Sequence, residues 1–481
     1  LKLERVLSVI GEGDLAVRTR LKKERSAMLK PSSLVLLLLV CMLTIVGCGQ
    51  AGNGKGNSTG GNATQAPASA EASQTPAAAK PVEITFYYPV NVGGPLTKVI
   101  DGMAKTFMDQ NPGIKVNPVY TGNYGDNTVK IQAGVQAKQP PDVAVMMSTE
   151  LFSMLDMNAI IPLDDFIAKD SDIYMADFYP AFMEDTQTEG KTYSLPFQRS
   201  TIVMYYNKEM FKAAGLDPEK PPASWEELVS YAKQLNRDGH AGLEIPGNDD
   251  SYWMFQMLAR QNAADPKQNI MSSDGKKAIF NTPENVEALQ FWLDLSHKYK
   301  AMPEGVIDWA TVPTDFIEGK TAMMMHTSGN LTNVKNNAKF EFGVAFPSGQ
   351  KQYGSPTGGG NLYIFKDTTP EKQAAAWEFA KFMTAPEQAA LFSSSSGYVG
   401  VRKSAYETET MKKYTADFPQ ALVARDQLQF AFKELSTHNH GKVSTAITNQ
   451  IQAALAGQID ATGALKKAQE EADQALAPFN K

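Results

Sequence analysis

"VEITFYYPVNVGGPLTKVIDGMAKTF", residues 82–107, changes its hydrophobic period once, and that change decides the fold class. Val82, Ile84 and Phe86 alternate along the chain, the two-residue period of a strand with a buried face. After the Gly93-Gly94-Pro95 turn, Leu96, Val99, Ile100, Met103 and Phe107 recur at the spacing of an amphipathic helix. The next segments repeat the unit: "GIKVNPVY" (113–120) and "PDVAVMM" (141–147) read as strands, with a helix between them near 126–137. Strands alternating with helices predict an α/β fold whose parallel sheet is covered on both faces.

The pattern continues downstream with well-marked helix starts. In "PPASWEEL" Ser224 and Glu227 have capping-box spacing, and in "NTPENVEALQFWLDL" Thr282 caps while Pro283 takes the first helical position. "TTPEKQAAAWEFAKFM" repeats that device with Thr369 and Pro370, and residues 443–476 read as C-terminal helices on the outside. No internal repeat of fixed period is present.

Upstream of Val82 the character is different. Residues 49–80 are small and polar with neither period, so they cannot bury enough apolar surface to offset ordering entropy and are expected to be a flexible tether. Before it, "LVLLLLVCMLTIV" (34–46) is short for a membrane span but fits the apolar region of a signal peptide, with Lys30 on its positive flank. It ends in Ile45-Val46-Gly47-Cys48, which resembles a bacterial lipobox. On that resemblance residues 28–47 are a lipoprotein signal peptide and Cys48 becomes the lipidated N-terminus of a 48–81 linker, two or more acyl chains giving stable anchoring. Residues 1–27, of mixed charge, are expected to be an extension ahead of the true start at Met28.

Composition narrows the function. Hydrophobic residues are 43% and charged residues 20% of the 481, ordinary globular proportions, and roughly 400 residues after the tether suffice for two or three lobes. Residues 1–30 carry eight Lys or Arg against four Asp or Glu, so the net charge of −6 becomes −10 without them. The body is acidic and has no basic stripe interleaved with aromatics, so nucleic acid is not the expected partner. The two cysteines, Cys41 and Cys48, both precede the body, which excludes a disulfide or thiolate framework in it.

Catalytic and metal motifs are missing. His240, His297, His326, His438 and His440 show no HExxH spacing, and His438 and His440 read as members of a surface loop. "EGKTAM" would be a phosphate-cradling loop only with glycine at 314, where Thr314 stands, and "SSSSGYVG" lacks the spacing of a nucleophile elbow. Asp164-Asp165, Glu226-Glu227 and Asp249-Asp250 read as solvated faces or caps. No metal and no cofactor is implied, and binding outweighs catalysis.

Five segments in order, "YTGNYGDN", "LPFQRSTIVMYYNKEMFKAAGLDPEKPPASWEEL", "GKTAMMMHTSGNL", "GGGNLYIF" and "SSGYVGVRKSAY", resemble the extracellular solute-binding proteins of carbohydrate-type ABC importers, most closely the glycerol-3-phosphate-binding members. The resemblance implies a two-lobe periplasmic-binding-protein-like fold with a hinge and an interlobe cleft. Lobe one is expected at 82–192 plus 327–366, lobe two at 193–326 plus 367–481. It further implies a monomer, not an enzyme, outside the cytoplasm and lipid-anchored to the cell membrane, that captures a saccharide, polyol or glycerol phosphate by lobe closure and delivers it to an ABC permease. A secreted hydrolase of glycans or glycerophosphodiesters, or a surface sensor using the same cleft, is the alternative.

By motif, Tyr124, Ser200, Ser328, Gly359 and Tyr398 fall where the family contacts its ligand, and Trp253 matches a cleft tryptophan. Tyrosines stack on C–H faces and donate through the hydroxyl, serines bond ligand hydroxyls, and glycine backbone approaches closely. Gly93-Gly94-Pro95 would offer unpaired N–H groups at a helix start. Three positions depart from the family pattern: Ser148 stands where a carboxylate is expected, a second tryptophan falls near Asn248–Asp250, and an arginine that meets phosphate aligns near Ser444. Arg199, or else Lys442 or Arg402, would replace that cation, whereas Asp249 and Asp250 would favour sugar hydroxyls. The balance leans toward a neutral or amphoteric saccharide.

Overall fold

The computed structural model describes residues 80–248 and 251–480. The expectations for the leader, for Cys48, for most of the tether, and for Asp249 and Asp250 lie outside the described residues.

The opening unit folds as its periods dictate. Strand β1 (Val82–Tyr88) leads into helix α1 (Leu96–Gln110), which buries Leu96, Ile100, Met103, Ala104 and Phe107. Strand β2 (Ile114–Tyr120), helix α2 (Tyr124–Gln136) and strand β3 (Val143–Met147) follow, and β1 pairs in parallel with both neighbours. A 3₁₀ turn (Ser148–Glu150) then leads into the short helix α3 (Leu151–Asp156).

The expectation of a parallel sheet holds only for this part. The sheet has eight strands. Its central strand, β4 (Ser194–Asn207), is antiparallel to three others: β5 (Met323–Thr327), β6 (Phe342–Ala345) and β7 (Ser355–Ile364). β7 also pairs antiparallel with β3, and its start pairs in parallel with the two-residue strand β8 (Ala431–Phe432). Local period identifies a strand but not the direction of its partner, which is set by where the chain returns.

β4 divides the molecule. Its residues Ser194–Thr201 pair with β7, its residues Ile202–Asn207 with β5 and β6, and all fourteen are buried. Successive strand side chains face opposite ways. Val203 and Tyr205 accordingly join one hydrophobic core, with β1, β3 and α1, while Ile202, Met204 and Tyr206 join another. The second core is filled by helices α4 (Trp225–Leu235), α5 (Ser251–Asn262), α6 (Pro283–His297), α8 (His440–Leu455) and α9 (Ala461–Leu476). Helix α7 (Pro370–Met383) belongs to the first: Phe379 packs edge-on against Phe86 at 4.9 Å and Phe107 at 5.2 Å.

Helix starts follow the sequence. Ser224 Oγ accepts from the Glu227 N–H at 3.2 Å, and Thr282 and Thr369 cap α6 and α7 ahead of a first-turn proline, each cap contributing about 1 kcal/mol. The C-terminal helices pack on the outside through one face, burying Val443, Ile447, Ile451, Leu465 and Leu476 and exposing Lys442, Lys466, Lys467 and Glu470.

Candidate functional site

Where β4 and β7 lie side by side, a cavity of about 600 Å³ opens between the elements of the two cores. Its floor is Ser200 of β4 and Gly358 and Gly359 of β7. Its walls come from the first turn of α2, the Met147–Glu150 turn, the start of α5, Trp309, Tyr398, Glu434 and the first turn of α8.

Five of the eight positions expected from sequence line it: Tyr124, Ser200, Trp253, Gly359 and Tyr398. Tyr124 is presented by a capping box, in which Asn123 Oδ1 accepts from the Asp126 N–H and Asp126 Oδ2 from the Asn123 N–H. Its hydroxyl donates to Gln198 Oε1 at 2.9 Å, and burial, with Tyr398 beside it, holds its pKa well above the ordinary value. Tyr398 follows the left-handed Gly397 that ends a helix, and stacks on Phe392 at 5.5 Å. Trp253 donates its indole N–H to the Thr357 carbonyl at 3.1 Å, so it offers the cavity a ring face rather than a donor.

Three expected positions lie elsewhere. Arg199 is fully buried in an ion pair with Asp185 at 3.1 Å, and also donates to Asn361 Oδ1 and Thr357 Oγ1. Strand parity explains this: Ser200 faces the cavity, so its neighbour faces away. Ser148 is buried behind the turn, its hydroxyl without a hydrogen-bond partner, and Ser328 Oγ accepts from the Thr201 N–H at 3.4 Å while Thr327 takes the lining place. The other candidate cations are absent from the lining too: Arg402 is buried against Asp177 and the Thr384 carbonyl, and Lys442 is exposed on α8. The approach to α1 lines the cavity through Asn91 and Val92, not through Gly93-Gly94-Pro95.

Several lining groups were not legible. Glu150 is 8% exposed, and burial pushes its pKa up to about 7 with the Ser153 hydroxyl pulling the other way. Glu434 is buried and accepts from the Tyr252 hydroxyl at 2.9 Å. His440, expected in a surface loop, is instead buried on the cavity wall, edge-on to Tyr252 at 6.3 Å, and burial lowers it to about 4. His438 pairs with Asp156 at 2.6 Å.

Trp309 is held from two sides. Asn248 Oδ1 accepts from its backbone N–H at 3.0 Å, and His326 Nε2 donates to its carbonyl at 3.1 Å while Asn330 donates to His326 Nδ1. Burial lowers His326 to about 3, which keeps the ring neutral in that tautomer. The Trp253 and Trp309 rings then stand 6.1 Å apart. No Lys or Arg lines the cavity among the described residues, and no group of three or more His, Cys, Asp or Glu among them could hold a metal.

The family model for bacterial extracellular solute-binding proteins matches residues 102–420, more than half of the chain. The chain is a bacterial extracellular solute-binding protein.

Its relatives include the sn-glycerol-3-phosphate-binding periplasmic protein UgpB of Salmonella paratyphi A, 29% identical over 416 residues that cover 83% of this chain and 93% of the relative. Among solved structures, UgpB from Mycobacterium tuberculosis in complex with glycerophosphocholine superposes with a TM-score of 0.74 at 24% identity, over 83% of this chain and 99% of that one. The substrate-binding protein Lmo0181 from Listeria monocytogenes, in complex with cycloalternan, gives 0.72 at 23% identity, over 83% and 100%. These likenesses show the two-lobe fold of periplasmic solute-binding proteins.

Two departures from the family pattern look different in this solute-binding protein once folded. A carboxylate does reach the cavity after β3, from Glu150 rather than position 148, because the 3₁₀ turn swings it inward. A second tryptophan does too, from Trp309, with Asn248 as its support. Ser444, near which the resemblance would align an arginine, lines the cavity, and its hydroxyl donates to the His440 carbonyl at 2.9 Å.

The carboxylate predicts a pH effect. Its pKa of about 7, against an ordinary 4.5, means that the folded state keeps a proton the unfolded chain has lost, so stability falls as pH rises from about 4.5 to about 7. Glu150→Gln is expected to match the wild type at pH 4 and to exceed it at pH 8 by up to about 3 kcal/mol, read from urea unfolding at the two pH values.

Proposed function

We propose that this chain captures a small polar solute of the sugar, polyol or glycerophosphate kind in the cavity and presents it to an ABC permease. What supports this is one feature: a cavity of about 600 Å³, the size of a small-molecule site, lined by aromatic faces and hydrogen-bonding groups from both cores. Tyr124, Ser200, Trp253, Gly359 and Tyr398 are the contacts proposed from it. A solute touching both sides has higher affinity for a closed arrangement, and β4 and β7, the strands that pass between the cores, are where closure would bend.

The lobe limits expected from sequence remain a proposal, with one change favoured by packing: α7 goes with lobe one. Cys48 is proposed as the lipid anchor holding a monomer outside the cytoplasm beside the permease. The lining of aromatic faces and hydrogen-bonding groups, and the family of binding proteins to which the chain belongs, support capture without turnover.

Thermal-shift screening against sugars, polyols and glycerophosphates tests this. A true solute binds only the native state, and at a hundredfold excess over its Kd adds about 2.7 kcal/mol, a clear rise in Tm. Product release from any member of the panel, or no shift from any, would contradict the reading.

A further inference from the structure

Resting on the solute-capture reading, we propose that His326 is a positioning residue: it fixes the ring of Trp309 and so gives the cavity its preference for a solute with a ring face over an acyclic one.

Regular secondary structure does not fix Trp309. It is half-buried between exposed Asp308 and Ala310, outside any helix or strand, just ahead of the helix Thr311–Ile317. His326 is placed very differently. It is fully inaccessible to solvent in β5, one residue before Thr327, which lines the cavity. A carbonyl oxygen only accepts, so the Trp309 carbonyl at 3.1 Å requires the proton to sit on His326 Nε2. Nδ1 is then an acceptor, and Asn330 Nδ2 donates to it at 2.9 Å. Asn330 is itself buried at the end of the 3₁₀ turn Ser328–Asn330. The imidazole therefore has one tautomer and one orientation, and burial keeps it uncharged.

From that fixed place it acts on Trp309 twice. Its N–H holds the backbone, and its ring packs against the indole with centroids 4.0 Å apart. Asn248 closes the other side, accepting from the Trp309 N–H and donating to Asp308 Oδ2 at 2.9 Å. Filling space alone would be met by a methionine, as at Met323, Met324 and Met325; the imidazole adds the donor that the carbonyl takes. Trp253 is held by its own bond to the Thr357 carbonyl, so the two indoles, 6.1 Å apart and inclined at 48°, bound a wedge of fixed shape. A solute ring packs its C–H face on such a wedge only while both indoles keep their orientation, whereas an acyclic chain adapts to a displaced one.

Fluorine NMR of the full protein carrying 5-fluorotryptophan tests the holding, with Trp309→Phe identifying the signal. His326→Gln can set an amide N–H near the place of Nε2, whereas the shorter side chain of His326→Asn reaches only the place of Nδ1. Without solute, the Trp309 signal should be narrow in the wild type and in His326→Gln, and broadened or split in His326→Asn. Calorimetric titration tests the preference, with maltose, trehalose and glucose as ring-shaped probes and glycerol and glycerol 3-phosphate as acyclic ones. His326→Asn should weaken the tightest ring-shaped probe by about tenfold or more and the acyclic probes by less than about threefold, with His326→Gln within about threefold of the wild type on all. An unchanged Trp309 signal in His326→Asn, equal losses on both kinds of probe, or tightest binding of an acyclic probe would each overturn the inference while leaving solute capture standing. If the wild type binds no probe although the signal changes, the fault lies with solute capture, and the preference falls with it. Should His326→Asn not fold, Asn330→Ala, which removes only the donor that orients the imidazole, should broaden the same signal and weaken the ring-shaped probe by about threefold or more; no change in either would overturn the inference.

Discussion

An Arg199→Met variant is expected to lose about 3–5 kcal/mol of stability in urea unfolding, the cost of leaving a buried charge without its partner. The reason is the environment of the pair. Arg199 and Asp185 are both inaccessible to solvent, and the remaining partners, Thr357 and Asn361, are oriented by the same two charges. Removing the guanidinium strands the Asp185 carboxylate with the Thr357 hydroxyl and no cation. Arg199→Met combined with Asp185→Asn should recover more than half of the loss, because the second change removes the stranded charge. Solute affinity of the folded protein should move far less than stability, since Arg199 faces away from the cavity. A large loss of affinity with unchanged stability would show that Arg199 is a ligand contact after all.

Gly359→Ala should do comparable damage through the backbone. Gly359 has φ +89°, a region costing other residues about 1–3 kcal/mol, and a Cβ there would stand 1.8 Å from the Gln198 carbonyl oxygen. Nothing flexible can yield, because that oxygen belongs to the partner strand at the floor of the cavity. The β4–β7 ladder must part locally, and the expected loss exceeds about 4 kcal/mol, with solute binding abolished in whatever folds. Gly102→Ala is the control. It lies within α1, where its would-be Cβ meets nothing within 4 Å beyond its chain neighbours and the helix's own backbone, and should gain about 0.5–1 kcal/mol. Unfolding curves of the two variants beside the wild type decide the matter.

Much of this was legible along the chain. The change of period between Val82 and Phe107 gave β1 and α1 their places, and the serine and threonine caps gave the later helices their starts. Tyr124, Ser200, Trp253, Gly359 and Tyr398 came from ordered motifs, and the fold brings those five to one cavity. What escaped has physical causes. Arg199 was misplaced because a motif reports a position but not the parity of a strand side chain. Glu150 escaped because the rotation of a 3₁₀ turn puts the residue two places after the expected one inside. Trp309 and Glu434 sit in segments with no period of their own and His440 is the first residue of α8, so only the tertiary meeting of these segments with β4 and β7 carries them to the site. The antiparallel ladders on β4 were invisible for the same reason: they depend on where distant segments meet.

The most direct measurement is a calorimetric titration of the wild type and of Trp253→Ala with the solute that gives the largest thermal shift. Trp253 stands at the junction of the cavity floor and the second core, so one solute should bind per chain, and the variant should bind it at least about thirtyfold more weakly, a loss of about 2 kcal/mol. Unchanged affinity in the folded variant would mean that the solute binds somewhere else, and the site assigned to this cavity would be wrong.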